Sequence, residues 1–375
     1  MVQLVFIHGV ATRDTPEYRA AIANRDTLFR ELLFTGTDVS IHAPMWGQFV
    51  PAIPQAVFET DKGVTTYSLN VGSAPGMEDG VLGELAVAPS EAAPEVTIGA
   101  VGKQDPVAAL DAICSEIADR AAREEREFSP EELAAFRRAS ELIGTDAAAT
   151  AFEGDASTET IAEQLKTGPG AFGITDVIGE AISAVTDHVK NAASTLGFGA
   201  VRGKLSPAIG LFLGDVFVYL KDGDARQKIR EQIGKAVTAA HDAAKAGKGP
   251  VVLVGHSMGG VILIDMLANP KAAGLPDDLR VAALLTVGSQ PGFFAVLDLV
   301  ASSGGQRKKP GCVNRWLNIF DPIDPLAFRT DMIFEGAEDF SFNSVAGIME
   351  AHSKYFQRPQ FYARSRKRLK ELGIL

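Results

Sequence analysis

The clearest chemical feature of the sequence is a serine between two glycines, GHSMG at residues 255–259. The apolar residues VVLV precede it and GVILI follows it, which predicts a strand, a sharp turn and a helix. In such a turn the middle residue is strained, and Gly255 and Gly259 leave room for neighbouring backbone. The hydroxyl of Ser257 would project above the sheet, and the N–H of Met258 would face a developing oxyanion. This pattern indicates a serine nucleophile, and the alternative is a glycine-rich turn without activity.

The elements that must hold this turn lie towards both ends of the chain. Residues 4–7 and 38–43 are predicted strands, on either side of a helix at 16–34 with Thr15 as its N-cap and Pro16 at its first position. Strand and helix patterns alternate again after residue 225, with strands predicted at 251–254, 281–287 and 316–320. This alternation favours an α/β fold, a mostly parallel sheet with helices on both faces.

The middle of the chain differs in composition and is interpreted as an insertion. Residues 51–105 are rich in Pro, Gly, Ala and acidic residues without periodicity, which indicates irregular structure. Residues 106–225 are mainly helical by pattern and contain a capping box, SPEE, at 129–132. The predicted organisation is an α/β core and a cap or lid inserted into it, at residues 1–50 with 226–375 and at 51–225 respectively.

The segment VGHSMGG resembles the nucleophile elbow of the α/β-hydrolase superfamily, in its lipase and esterase branch. The resemblance extends over about 200 residues, the two core blocks, and implies an α/β-hydrolase fold with a largely helical cap. It also implies the chain order serine, acid, histidine. Of six histidines only His352 follows Ser257, so it is the implied general base, in a context, AHSKY, that resembles the superfamily's late histidine loop. A surface histidine before a helix is the alternative.

The resemblance places the acid in the loop after the strand at 316–320, which reads DPIDPL. Asp324 matches the superfamily's usual position, and Asp321, nearer the strand, is the alternative. The aspartate that is not the acid would cap the loop through its side chain. The acid would hold the imidazole tautomer and stabilise the imidazolium. Weaker candidates for the acid are Asp331, Glu335 and Asp339.

A second oxyanion donor is implied in the early loop FIHGV, which resembles the superfamily's His-Gly loop. Gly9 would let the backbone approach, the N–H of Val10 would donate, and His8 would fix the loop by hydrogen bonds. A plain strand-to-helix turn is the alternative. The candidate substrate-binding residues are Gly9, His256, Trp46 and Tyr219. Core packing is at least as good an interpretation for Trp46, and a buried structural role is the preferred interpretation for Tyr219 and Asp215.

Composition excludes several other classes. The 375 residues carry 36 Lys and Arg against 47 Asp and Glu, a net charge of −11, which argues against a nucleic-acid partner. Cys114 and Cys312 form no CxxC, and no metal-ligand or phosphate-loop pattern occurs, so no metal and no cofactor are expected. No apolar run reaches the ~18–20 residues of a membrane span, and MVQLVFIHGV lacks the features of a signal peptide, so a cytoplasmic protein is expected.

Two basic runs, at 307–309 and 364–370, are interpreted as solvated charge clusters. Peripheral contact with anionic lipid headgroups is the alternative.

The function expected from the resemblance is hydrolysis of a carboxylic ester with an apolar acyl chain, a lipid ester included, through an acyl-enzyme. Two alternatives stay open. One is the same machinery acting on an amide, a thioester or an acyl acceptor other than water, and the other is a binding module that kept the fold without turnover.

Overall fold

A computed structural model describes residues 1–51, 98, 106–142, 145, 150, 152, 161–162, 174–191, 213–300 and 307–375. The irregular structure predicted for 51–105 therefore falls outside the described residues, except at its first position and at Ile98. No described helix is long and apolar enough to cross a membrane.

One six-stranded sheet lies at the centre of the described part. Its strands are β1 (Val2–Ile7), β2 (Val39–His42), β3 (Val251–His256), β4 (Val281–Val287), β5 (Val313–Phe320) and β6 (Ala337–Ser341). The strand order is β2-β1-β3-β4-β5-β6, and every neighbouring pair is parallel. The predicted α/β class with a parallel sheet is confirmed, while β6, which reads AEDFS, was not predicted.

Helices cover both faces of the sheet. They are α1 (Pro16–Leu28), α2 (Pro106–Arg123), α3 (Pro130–Leu142), α4 (Ile174–Asn191), α5 (213–220), α6 (Asp224–Lys245), α7 (Met258–Ala268), α8 (Pro291–Val296), α9 (Ile348–Lys354) and α10 (Pro359–Glu371). A π-helical turn, Phe29–Leu33, extends α1, and single 3₁₀ turns lie at Gly47–Phe49 and Tyr355–Gln357. The hydroxyl of Thr15 accepts the N–H of Tyr18 at 3.2 Å, which is the predicted N-cap.

The capping box at the start of α3 has both of its reciprocal bonds. The N–H of Glu132 donates to the hydroxyl of Ser129 at 3.2 Å, and the N–H of Ser129 donates to the Glu132 carboxylate at 2.8 Å. Together they satisfy two backbone donors at the helix start that would otherwise lack a partner. The start of α3 is therefore where the SPEE pattern predicts it.

Alternate residues of β1 and β3 enter two separate apolar clusters, as the pleat requires. Leu4 and Phe6 of β1 face a cluster shared with α10 and with α2, α3 and α4. Val5 and Ile7 face the other cluster, which is shared with α5, α6, α7 and α8. The described helices of the predicted insertion thus pack beside the two faces of the sheet. The division into core and cap stays a prediction.

Candidate active site

The turn between β3 and α7 has the geometry that the GHSMG pattern predicts. Ser257 has φ 50° and ψ −126°, a left-handed conformation that side chains rarely adopt. A Cβ on Gly255 would lie 2.5 Å from Gly260 Cα, and one on Gly259 would lie 2.3 Å from the carbonyl oxygen of Ile7. Both positions therefore need glycine, because the turn is packed directly against neighbouring backbone.

Three side chains meet above this turn. Nε2 of His352 lies 2.9 Å from the Ser257 hydroxyl, and its Nδ1 lies 2.9 and 3.1 Å from the two carboxylate oxygens of Asp324. A carboxylate can only accept, so Nδ1 carries the proton and Nε2 is free to accept the serine proton. The residues follow β3, β5 and β6, so the site lies at the carboxyl ends of the parallel strands.

Asp324, and not Asp321, is the aspartate in contact with the histidine. The Asp324 side chain is fully buried, and it also accepts the N–H of Leu326 at 2.9 Å. Asp321 instead accepts the N–H groups of Ile323 at 3.1 Å and Ser344 at 2.7 Å, which is the loop-capping role left to whichever aspartate is not the acid. Asp331 and Asp339 pair with Arg329, and Glu335 with Lys308.

Tyr355 is a member of the site that sequence reasoning missed. Its hydroxyl donates to Asp324 at 2.9 Å and accepts the N–H of Asp321 at 2.7 Å, so it joins both aspartates of the loop. Burial and the nearby charge of Asp324 raise the pKa of Tyr355, so the hydroxyl keeps the proton that it donates. The available hint was its position, one helical turn after His352.

His352 itself lies in a short helix, α9, whereas the sequence predicted a loop. Gly347 before the helix is extended, with φ −70° and ψ 159°, and the following residues IMEA include good helix formers. The imidazole is 19% exposed, so the base can be reached from solvent while its carboxylate partner cannot.

The loop after β1 lies against the nucleophile. A Cβ on Gly9 would be 2.9 Å from the Cβ of Ser257, so only glycine allows this approach. In the described part of the chain, the N–H groups of Val10 and Met258 donate to no acceptor. Both of the predicted oxyanion donors are therefore without a protein acceptor there, and Met258 is buried.

His8 fixes this loop by its two ring nitrogens. Its Nδ1 donates to the carbonyl of Gly9 at 2.8 Å, and its Nε2 accepts the N–H of Trp46 at 3.1 Å. The Trp46 indole stacks on the imidazole at 4.9 Å and donates to the His8 carbonyl at 2.8 Å. Burial lowers the pKa of His8 to about 4, so this ring stays neutral.

Two of the four candidate substrate-binding residues have buried structural contacts. Trp46 is fully buried and supports His8. Tyr219 is also fully buried, and it donates to Asp265 at 2.6 Å in the core beside α7. Asp215, its neighbour on α5, accepts the N–H of Ala11 at 2.6 Å and pairs with Arg13 at 2.8 Å. The sequence could not show which side of the fold these rings face.

His256 is hydrogen-bonded to the backbone of His352. Its Nε2 donates to the carbonyl of His352 at 2.8 Å, and the two rings lie 5.2 Å apart. Burial first, and the neighbouring His352 second, lower the pKa of His256 to about 3. A ring that stays neutral beside the base is suited to holding it in place, and not to binding an anionic substrate.

The remaining predictions concern ions and surface charge. Among the described residues, no group of three or more His, Cys, Asp or Glu side chains could hold a metal ion. The basic run of α10 is partly paired, since Arg364 contacts Asp111 at 2.5 Å and Arg368 contacts Glu371 at 2.7 Å.

Comparisons with protein-family models, curated proteins and solved structures found no match to this chain. What the site can do is therefore inferred from its own geometry.

Proposed function

We propose that the protein is a serine hydrolase of the α/β-hydrolase type that cleaves a carboxylic ester with an apolar acyl chain. The observation that carries the proposal is the chain of contacts from Ser257 through His352 to Asp324, with 2.9 Å at each step. A strained serine that is hydrogen-bonded to a carboxylate-oriented imidazole is the arrangement that activates a weak nucleophile.

The reaction would pass through an acyl-enzyme. Ser257 Oγ attacks the ester carbonyl carbon while its proton moves to Nε2 of His352, and the N–H groups of Val10 and Met258 stabilise the oxyanion. When the C–O bond breaks, the leaving alkoxide takes that proton as an alcohol. A water then attacks the acyl carbon and gives a proton to the same nitrogen. When the bond between the acyl carbon and Ser257 Oγ breaks, Oγ takes that proton back and the carboxylic acid is released. Asp324 stabilises the imidazolium in both halves.

The surface near the site favours an apolar substrate. Ile323 adjoins Asp324, and the N–H of Phe328 donates at 3.2 Å to the carbonyl of Ser289, whose own hydroxyl donates at 2.6 Å to the carbonyl of Ser257. Phe328 stacks on Phe293 at 5.0 Å. Large apolar side chains that are 37–75% exposed follow β4 and β5, namely Phe293, Val296, Leu297, Leu299, Ile323, Phe328 and Met332. Apolar surface of this kind is typical of a binding site.

One observation favours the second candidate, a binding module without turnover. Ser257 is only 1% exposed, so an ester cannot reach its hydroxyl unless the surrounding residues move. Movement of a segment over the site would reconcile burial with catalysis, whereas a permanently closed site would bind without hydrolysis.

Labelling with a fluorophosphonate, read by intact mass and peptide mapping, separates the two candidates. We expect one label on Ser257 in the wild type and none in Ser257→Ala. Ser353→Ala is the matched control, because it removes an exposed serine hydroxyl beside His352 that bonds only locally to the carbonyl of Glu350, and it should label as the wild type does. Folded wild-type protein that takes no label, or equal labelling of Ser257→Ala, would exclude the hydrolase and leave the binding module.

A further inference from the structure

A buried polar stripe runs along α2, in the middle part of the chain that the hydrolase resemblance does not include. Its members Asp111, Ser115 and Asp119 are four residues apart and at most 4% exposed. Side chains at this spacing share one face of a helix. Polar groups buried in a row need partners, and their partners here lie in the segment that follows His352.

Asp119 receives two cations from that segment. Lys354 Nζ lies 2.8 Å and Arg358 Nη1 3.0 Å from the same carboxylate oxygen. Lys354 is two residues after His352, at the end of the same short helix. Asp119 therefore binds the C-terminal end of α9, the short helix that contains His352.

Arg358 also connects Asp119 to a residue that precedes His352. Its guanidinium is 1% exposed, and its Nε donates to the carbonyl of Ser344 at 2.7 Å. The N–H of Ser344 in turn donates to Asp321 at 2.7 Å, in the loop that carries Asp324. Through these contacts the buried Arg358 connects α2 with Ser344, which precedes His352 in the sequence, and with the loop that contains Asp324.

The Asp119 carboxylate stays ionised in spite of its burial. Burial alone would raise the pKa of Asp119, but Arg358 and Lys354 outweigh it and lower the pKa below its ordinary value. A buried carboxylate with two cations has a narrow range of acceptable geometries, because any displacement leaves a charge unpaired. The cluster therefore restrains position more than an apolar contact of the same size would.

We propose that Asp119 is a positioning residue of the catalytic site, which holds His352 within hydrogen-bond distance of Ser257 through Lys354 and Arg358. This inference rests on the proposed hydrolase function. It gives α2, in the middle part of the chain, the role of supporting the general base. Misplacement of a catalytic group by about 1 Å can cost a hundredfold in rate, so loss of the contacts of Asp119 with Lys354 and Arg358 should lower kcat.

The same stripe supplies a matched control. Asp111 is also an aspartate of α2, is 3% exposed and pairs with an arginine, Arg364, at 2.5 Å. That partner is twelve residues beyond His352 and lies in α10. Removing the charge of Asp111 therefore perturbs the same face of α2 and leaves the contacts of Asp119 with Lys354 and Arg358 in place.

The experiment compares Asp119→Asn, Asp119→Glu and Asp111→Asn by hydrolysis of a p-nitrophenyl ester, by the rate of fluorophosphonate labelling and by urea unfolding. We expect Asp119→Asn to lower kcat and the labelling rate by about 10- to 100-fold with KM changed less than twofold. Asp119→Glu should recover most of the loss, and Asp111→Asn should lower the stability but keep kcat within about twofold. Lys354→Met, which leaves Arg358 on Asp119, should lower kcat by less than Asp119→Asn and serves if that variant does not fold.

Equal kcat in Asp119→Asn and the wild type, or equal losses in Asp119→Asn and Asp111→Asn, would overturn the positioning role. If Asp119→Asn does not fold, an unchanged kcat in Lys354→Met would overturn it as well. The wild-type labelling in the same assay keeps the two proposals apart. Unlabelled wild type means that the hydrolase function fails and takes this inference with it, whereas labelled wild type with unaffected variants means that only the positioning role fails.

Discussion

Two buried Asp–Tyr pairs in this molecule look alike but differ in what surrounds them. In the core, Asp265 of α7 accepts the hydroxyl of Tyr219 at 2.6 Å. At the site, Asp324 accepts the hydroxyl of Tyr355 at 2.9 Å. Both carboxylates are at most 3% exposed, and in both pairs burial and the neighbouring aspartate raise the pKa of the tyrosine. Both hydroxyls are therefore permanent donors.

The charged partners of the two carboxylates are different. Asp265 pairs with Arg226 at 3.2 Å and Arg230 at 2.5 Å, two cations that do not lose their protons in a protein. Asp324 pairs in the described part of the chain with no arginine or lysine, and its ionisable basic partner is His352. The first carboxylate is paired with cations of fixed charge, whereas the second is paired with the imidazole that is proposed to take up a proton and return it. The burial of an aspartate therefore says little about its role until its partner is known.

The largest expected effect comes from the site. We expect Asp324→Asn to lower kcat about 10,000-fold, because the amide can donate to Nδ1 and would stabilise the wrong imidazole tautomer. Its free energy of unfolding should change far less than its activity, since the neutral amide still accepts from Tyr355. Steady-state ester hydrolysis and urea unfolding measure the two quantities. A kcat within tenfold of the wild type would remove the distinction between the two carboxylates.

The corresponding change in the core should do the reverse. Asp265→Asn leaves Arg226 and Arg230 without their buried counter-charge, which should reduce the free energy of unfolding by about 3–5 kcal/mol. The kcat of the protein that remains folded should stay within about twofold of the wild type. Urea denaturation and titration of labelled active sites provide the comparison. A large loss of kcat per labelled site would contradict it.

His8, a buried histidine that stays neutral, can be compared with His352. The pKa of His8 is about 4 in the folded protein and about 6.5 in an unfolded chain. Between these values the unfolded chain binds the extra proton, so lowering the pH through this window should destabilise the fold by about 3 kcal/mol. His8→Gln removes this contribution, so its urea midpoint should depend less on pH between 6.5 and 4. An unchanged slope would mean that His8 is protonated in the fold.

The smallest expected effect separates the two tyrosines. Tyr355→Phe and Tyr219→Phe each remove one hydrogen bond to a charged acceptor, which is worth about 1.5–3 kcal/mol of stability. Tyr355→Phe also leaves the N–H of Asp321 without its acceptor, so its loss of stability should be the larger one. Only Tyr355→Phe should also lower kcat, by about tenfold, because it frees the acid that orients His352. Kinetics and unfolding of the two variants side by side test this. Equal kcat in both variants would show that Tyr355 is as purely structural as Tyr219.

Local patterns predicted the parts of the fold that depend on local sequence. The strained turn at Ser257, the glycines beside it and the capping box at 129–132 all follow from residue types within a few positions. The strand β6 escaped because it is an edge strand, whose sequence AEDFS lacks the apolar run of a buried strand. Which of Asp321 and Asp324 meets the histidine also needed the three-dimensional structure, since both follow the same strand.

The residues that the sequence missed are joined by contacts across long stretches of chain. Tyr355 and Asp324 are 31 positions apart, and Arg358 and Asp119 are 239 apart. No periodic pattern links such pairs, and a single sequence shows no covariation. The sequence left two interpretations for Trp46 and Tyr219 for a related reason, because an aromatic residue near a strand end suits a pocket wall and a core equally well.

The place of β1 in the sheet has a consequence for biosynthesis. β1 pairs with β3, yet about 240 residues separate the end of one strand from the start of the other. At the usual elongation rate of about 5–20 residues per second, the hydrophobic strand VQLVFI waits roughly ten seconds or longer for its partner. During that time β2 can cover one of its edges and leaves the other open to neighbouring chains. Slow translation of the middle of the chain should therefore favour aggregation over soluble yield.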